Sequence, residues 1–191
     1  MQLVIEGQSL ESVTTFKYLG VLFSHDGSWS AHITNVCNKA RKVLGFLYRK
    51  YYHDSHTDTL LHLYKMLVCP LLEYATCVWD PYLRKNINNI EKVQAFALKI
   101  CLKEWHINYE VLIETASIPT LEKRKQYLKQ CQLYSIINGL SSYESLPTAR
   151  ASLCEYSLRI RSVTNRSLAQ PFARTQLYYH SFLPSAIRLW N

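Results

Sequence analysis

From residue 30 to residue 138, apolar side chains return at every third or fourth position, in runs cut by proline, glycine or short polar stretches. That period belongs to one face of an α-helix, so a mainly α fold is expected. Ile33, Val36, Cys37, Ala40, Val43, Leu44, Leu47 and Tyr51 form the first such face and predict a helix over about 30–51. Lys39, Arg41, Lys42, Arg49 and Lys50 fall mostly off it, and Ser28 or Ser30 is positioned to cap its first turn. A second helix should begin near Ser55 or Thr57 and turn Leu60, Leu61, Tyr64 and Leu67 inward. Pro70 lacks a backbone donor, so a kink or break is expected there, with 71–75 continuing at a new angle and Asp80-Pro81 ending the unit. Ile87, Ile90, Val93, Gln94, Ala97, Leu98 and Cys101 predict a third long helix near 84–103. A short amphipathic turn or helix over 109–116 is stopped by Pro119. Thr120 then caps a helix to about 138, with Leu121, Arg124, Tyr127, Leu128, Cys131, Tyr134 and Ile137 in step. Asn138-Gly139 is its stop, because glycine accepts left-handed backbone.

The two ends of the chain read differently. Leu3-Val4-Ile5 and Phe16 to Phe23 predict two short strands joined by a polar connection, the second closed by the turn signal Asp26-Gly27. Beyond Leu140 the helical pattern dissolves, apart from an alternating run over 156–161 and a short helix around 184–190. The expected organisation is therefore a β-hairpin unit over 1–27, a helical bundle over 28–140 and a loosely ordered, loop-rich region over 141–191. That last region carries Arg150, Arg159, Arg161, Arg166, Arg174 and Arg188. It reads either as an arm that folds on RNA or as an unstructured soluble segment.

Apolar residues make up 48% of the 191, enough for a buried core, and a net charge of +8 favours a polyanionic partner. The six cysteines include no CxxC pair and fall mostly in apolar surroundings, as free core thiols do. With no signal peptide and no apolar run of membrane-spanning length, an intracellular protein of cytoplasm or nucleus is expected, with no membrane partner. His53, His56 and His62 with Asp54 and Asp58 match no metal-ligand spacing, so no metal site is predicted. Cys37 lies on an apolar stripe where burial disfavours the thiolate, which argues against a nucleophile. Gly20, Gly27 and Gly45 are too dispersed for a phosphate loop. Trp79, beside Val78 and Pro81, reads as packing.

Several phrases together carry a resemblance. Phe16-Lys17-Tyr18-Leu19-Gly20-Val21 is followed by Trp29, His32-Ile33 and Lys39-Ala40. Val68-Cys69-Pro70-Leu71-Leu72-Glu73-Tyr74-Ala75 and Val78-Trp79-Asp80-Pro81 come next. Ile90-Glu91-Lys92-Val93-Gln94, Leu121-Glu122-Lys123-Arg124, Ser181-Phe182-Leu183-Pro184 and Leu189-Trp190-Asn191 complete the order. In that order and spacing they resemble the carboxyl-terminal part of non-LTR (LINE-like, jockey-type) retrotransposon reverse transcriptases, over nearly the whole chain. The resemblance implies that the hairpin is a remnant of the polymerase palm, where Lys17, Tyr18 and Gly20 would stand near a primer end. It implies that the helices to about residue 104 are a thumb lying along a template–primer duplex. Lys39, Arg41, Lys42, Arg49 and Lys50 would then neutralise phosphates without reading bases.

One departure governs the chemistry expected. Nucleotidyl transfer needs carboxylates that hold two metal ions, and the four Asp here, Asp26, Asp54, Asp58 and Asp80, include no pair on a hairpin ahead of Lys17. Magnesium is thus expected only of a full-length family enzyme. The chain is expected to be a catalytically incomplete fragment of an RNA-directed DNA polymerase, such as a truncated genomic copy, with no catalytic residues of its own. Its expected activity is sequence-tolerant binding of RNA or an RNA–DNA duplex. The alternatives are a helical protein–protein or self-association module working through an exposed hairpin, and a chain that folds poorly and does nothing.

Overall fold

The computed structural model describes residues 4–5, 8–9, 12–141 and 168–191, and the alternating run over 156–161, with the arginines from Arg150 to Arg166, lies outside them. The described residues are mainly helical, with two small antiparallel hairpins at the amino-terminal end. Strands β1 (Val4–Ile5) and β2 (Gln8–Ser9) form the first. Strands β3 (Thr15–Tyr18) and β4 (Val21–Ser24) form the second, in register from Thr15 opposite Ser24 to Tyr18 opposite Val21. The single strand expected over Phe16–Phe23 is thus a hairpin. Leu19 (φ 44°) and Gly20 (φ 85°) both take left-handed backbone at its tip, which reverses the chain in two residues.

Helix α1 (Ser30–Tyr51) buries His32, Ile33, Val36, Cys37, Ala40, Leu44 and Leu47, the stripe its spacing predicts. Its cap differs from expectation. Trp29 holds the N-cap position without a side-chain bond, while Ser28 Oγ accepts from the Ser30 N–H (3.2 Å) and Asp26 Oδ1 from the Ser28 N–H (2.9 Å). Helix α2 (Thr57–Leu63) runs on through a π-helical turn, Tyr64–Val68, into α3 (Cys69–Glu73). Pro70 therefore does not break the helix where it stands. The wider turn before it, with the Cys69 N–H reaching Tyr64 O, gives a residue that lacks a donor a place in the first turn of α3. The chain breaks five residues later, at left-handed Ala75 (φ 53°), before the short α4 (Thr76–Trp79).

Helix α5 (Arg84–Leu102) packs on α1 and α2 and buries Ile90, Val93, Gln94, Ala97, Leu98 and Cys101. Helix α6 (Tyr109–Ala116) folds back on α5. Helix α7 (Leu121–Ile137) is capped by Thr120, whose hydroxyl accepts from the Lys123 N–H, and is closed by Gly139 at φ 68°. Its inward face is not the expected one. Tyr127, Tyr134, Ile137 and Cys131 are exposed, and the buried positions are Leu121, Lys125, Lys129, Leu133 and Ile136. Two lysines on the buried stripe conceal its period.

The region expected to be loose from residue 141 contains α8 (Gln176–Tyr179) and α9 (Phe182–Trp190), the latter longer than the helix foreseen around 184–190. Ala186 and Ile187 of α9 join Leu133 and Leu168 in a second small core against α7. Leu177 reaches Gly27 at the end of the hairpin, and Tyr82 stacks on His180 at 4.4 Å. Within 168–191, tertiary packing supplies an order that composition does not announce.

Candidate nucleic-acid interface

Among the described residues, burial separates two groups of cations. The interior group is paired with carboxylates, although Lys125 Nζ makes no hydrogen bond. Arg124 makes a two-pronged pair with Glu73, its Nη2 lying 3.0 Å from Oε2. Lys129 Nζ lies 2.6 Å from Asp80 Oδ2 and donates to Ser185 Oγ at 3.1 Å. Lys125 Nζ lies 3.9 Å from the other Asp80 oxygen and 4.2 Å from the Trp79 ring centroid. Burial pulls the Lys125 ammonium down to about 8, against the opposing pull of Asp80. A cavity of about 180 Å³ beside these groups is lined by Asp80, Glu91 and Glu122 and by Lys125, Lys129 and Arg188. Three carboxylates facing three cations leave it no strong preference for a charged ligand.

The same clasp accounts for four of the phrases that carry the family resemblance. Glu73 and Asp80 come from 68–81, Glu91 and Gln94 from 90–94, and Arg124 from 121–124. Glu91 accepts from the Tyr109 hydroxyl and, at 2.8 Å, from the Glu122 N–H. Gln94 accepts from Tyr64 (3.2 Å) and donates to Pro119 O (3.0 Å), so no polar atom of its side chain is orphaned at the centre of the core. These residues join the helices of the bundle to one another. They are structural in this chain.

The outer group is different. Lys39, Arg41, Lys42, Arg49 and Lys50 are all exposed on α1, a helix without a single Asp or Glu. Among the described residues, no salt bridge uses any of the five. Lys42 and Arg49 lie two turns apart on one line, about 10 Å along the axis. Arg41 is held to one flank, its guanidinium donating to Asn38 Oδ1 (3.5 Å) and across to Asn89 Oδ1 of α5 (3.3 Å). Lys39 and Lys50 stand on the opposite flank of that line. The buried surface beneath seats the helix on the bundle, which fixes the backbone positions from which the cations extend.

Lys17, Tyr18 and Gly20 do not join this face. The hairpin docks on the first turns of α1, where the Leu22 N–H donates to His32 Nδ1 (3.1 Å) and Phe23 meets Trp29 edge-on at 5.4 Å. Arg49 and Lys50 occupy the far end of a helix about 33 Å long. Lys17 and Tyr18 are exposed on β3. Gly20 faces protein: a Cβ there would meet Tyr74 Cε1 at 3.4 Å, and the Tyr74 hydroxyl donates to Leu19 O at 2.9 Å. Its small size serves the turn and this contact.

Cys37, Cys69, Cys77 and Cys101 are pushed up from the ordinary thiol range by burial, Cys101 to about 12, as the apolar stripes imply. Among the described residues, no group of three or more His, Cys, Asp or Glu side chains is placed to hold a metal ion. No described helix is long and apolar enough to cross a membrane. From sequence, Trp105 and the tyrosines could either stack on unpaired bases or pack in a core, and nothing showed which of them share a surface. Tyr48, Tyr52, Phe96 and Trp105 gather at the carboxyl ends of α1 and α5, although they come from segments some fifty residues apart.

The chain matches no family model, no curated protein and no solved structure.

Proposed function

We propose that the chain binds the sugar–phosphate backbone of RNA, or of an RNA–DNA duplex, along the outer face of α1. The reading rests on one observation: five exposed cations, free of ion pairs among the described residues, on a 22-residue helix that carries no acid. Exposed lysines and arginines of a folded protein commonly have carboxylates interspersed among them, and here the helix supplies none. Cations in this state gain by displacing the counterions condensed on a polyphosphate, and the gain carries no base information. Lys39, Arg41, Lys42, Arg49 and Lys50 are the proposed contacts, with Lys17 and Tyr18 on a separate surface. The thumb role implied by resemblance to non-LTR reverse transcriptases agrees with this reading. We assign the chain itself no nucleotidyl transfer, since its four Asp include no pair ahead of Lys17.

The test is filter binding of a mixed-sequence RNA–DNA hybrid to the wild type and to an Arg41→Glu, Lys42→Glu, Arg49→Glu variant. Affinity at low salt should fall by roughly tenfold or more in the variant while its helical content is unchanged. Equal affinities would remove the proposal.

A second reading has its own support. Phe16 and Tyr18 on β3 are each 59% exposed, on a two-stranded sheet whose edges invite another strand. Self-association through this hairpin predicts a light-scattering mass above the monomer that nuclease does not change.

A further inference from the structure

Four aromatic rings make an uncommon surface where α1 and α5 end together. Tyr48 and Tyr52 lie 4.6 Å apart between centroids, Tyr48 in the last turn of α1 and Tyr52 capping it. Trp105 stands against both, at 6.3 Å from Tyr48 and 6.4 Å from Tyr52, and Phe96 of α5 closes the group at 6.2 Å from Trp105. The rings are held in place. The indole N–H of Trp105 donates to the Tyr52 hydroxyl at 3.1 Å, and Lys103 takes left-handed backbone (φ 60°) with its ammonium 5.5 Å from the Tyr52 ring centroid. Yet the group is not sealed: Tyr48, Trp105 and Phe96 remain 37%, 38% and 42% exposed. Within the segments that build it, 48–54 and 96–105, Arg49, Lys50, Lys99 and Lys103 stand against Asp54 and Glu104 alone. Fixed, half-exposed aromatic rings in a basic setting suit a flat π-system joined to an anionic backbone.

We infer that Tyr48, Phe96 and Trp105 form a stacking platform for unpaired bases of a single-stranded nucleic acid, whose phosphates meet the neighbouring cations. The inference takes the ligand class from the proposed function, but it concerns an adjoining surface, which shares Arg49 and Lys50 with the α1 face, and a different state of the strand. The duplex lies along the α1 cations, and unpaired nucleotides stack at the end of that helix.

The experiment measures fluorescence anisotropy with two labelled dodecamers of equal charge, oligo-dT and an abasic deoxyribose-phosphate strand. Oligo-dT should bind the wild type more tightly, by roughly tenfold for each stacked base, and should quench tryptophan emission where the abasic strand does not. Trp105→Leu should bring the two strands to one affinity, while Trp105→Phe keeps most of the difference. Equal affinities in the wild type, or a preference for dT that survives Trp105→Leu, would overturn the inference. The comparison of two strands on the wild type decides the matter even if Trp105→Leu fails to fold. A hybrid duplex measured in parallel separates this result from the α1 reading: lost duplex binding with retained dT preference sinks only the latter, and the reverse sinks only the platform.

Discussion

The ammonium of Lys125 lies 4.2 Å from the ring centroid of Trp79, inside the core of the bundle. Trp79 is fully buried, its indole N–H donates to Tyr74 O at 2.6 Å, and His32 meets its ring edge-on at 4.9 Å. The indole is therefore the hub through which α1, α4 and α7 are joined. Lys125 makes no hydrogen bond here, so the π-face and the more distant Asp80 carboxylate are what hold its charge.

That arrangement makes stability respond to alkali in a defined way. The folded ammonium titrates near 8, below its ordinary 10.5, so between those values the unfolded chain binds a proton that the folded chain has lost. Lys125 thus disfavours the folded state at neutral pH, and the penalty fades as pH rises from 8 to 10.5. Buried thiols whose titration is raised act in the opposite sense over part of this range, so the comparison must be with a variant. Lys125→Met should show its greatest stability relative to wild type near pH 7. Urea denaturation should find that advantage shrinking by up to about 1.4 kcal/mol per pH unit on the way to pH 10.

His32 controls the acid side. It is buried, and desolvation first, with Lys39 and Lys125 adding to it, lowers its titration below 6.5. Its Nδ1 accepts from the Leu22 N–H, a bond that only the neutral ring at that nitrogen can make. The unfolded chain takes up a proton below 6.5 while the folded one resists. The stability this contributes is present above 6.5 and is lost as pH falls through the folded value. Against His32→Phe, which starts weaker for want of the acceptor, the wild type should lose stability more steeply between pH 6.5 and 5. Parallel thermal melts across that range check it.

Glu73 and Arg124 join α3 to α7 through a half-buried, two-pronged charge pair. Removing one partner strands the other charge. Arg124→Met should therefore cost about 3 kcal/mol in denaturant unfolding, and Glu73→Leu added to it should recover part of the loss.

The hairpin tip carries a local misfit. Leu19 holds φ 44° and is 72% exposed, so its left-handed backbone is strained and little packing offsets it. Leu19→Asn keeps the Tyr74 bond to the carbonyl and relieves the backbone. It should raise stability by about 1 kcal/mol, measured by chemical denaturation.

Helices α1 and α5 were legible because their buried positions are apolar and their cations lie outside, so period and burial agree. Helix α7 was not, since Lys125 and Lys129 sit on its inward stripe and Tyr127 and Tyr134 on its outward one. Only their partners, Asp80, Trp79 and Ser185, make sense of that inversion, and all three lie more than forty residues away. The π-helical turn before Pro70 has no spacing signature of its own. Gly20 was read inside a single strand, and nothing marked it and Leu19 as the pair in left-handed backbone that reverses the chain. The α1 cations were readable as a set from one segment, whereas Trp105 and Tyr48 meet only through the packing of α1 on α5.

If the α1 face engages phosphates, binding of the hybrid must weaken with salt in proportion to the phosphates that it neutralises. The logarithm of the association constant should fall linearly with the logarithm of salt concentration, by about 0.9 per phosphate neutralised. In the Arg41→Glu, Lys42→Glu, Arg49→Glu variant that slope should flatten by about 2 to 3. A variant slope equal to that of the wild type would mean that these three side chains touch no phosphate.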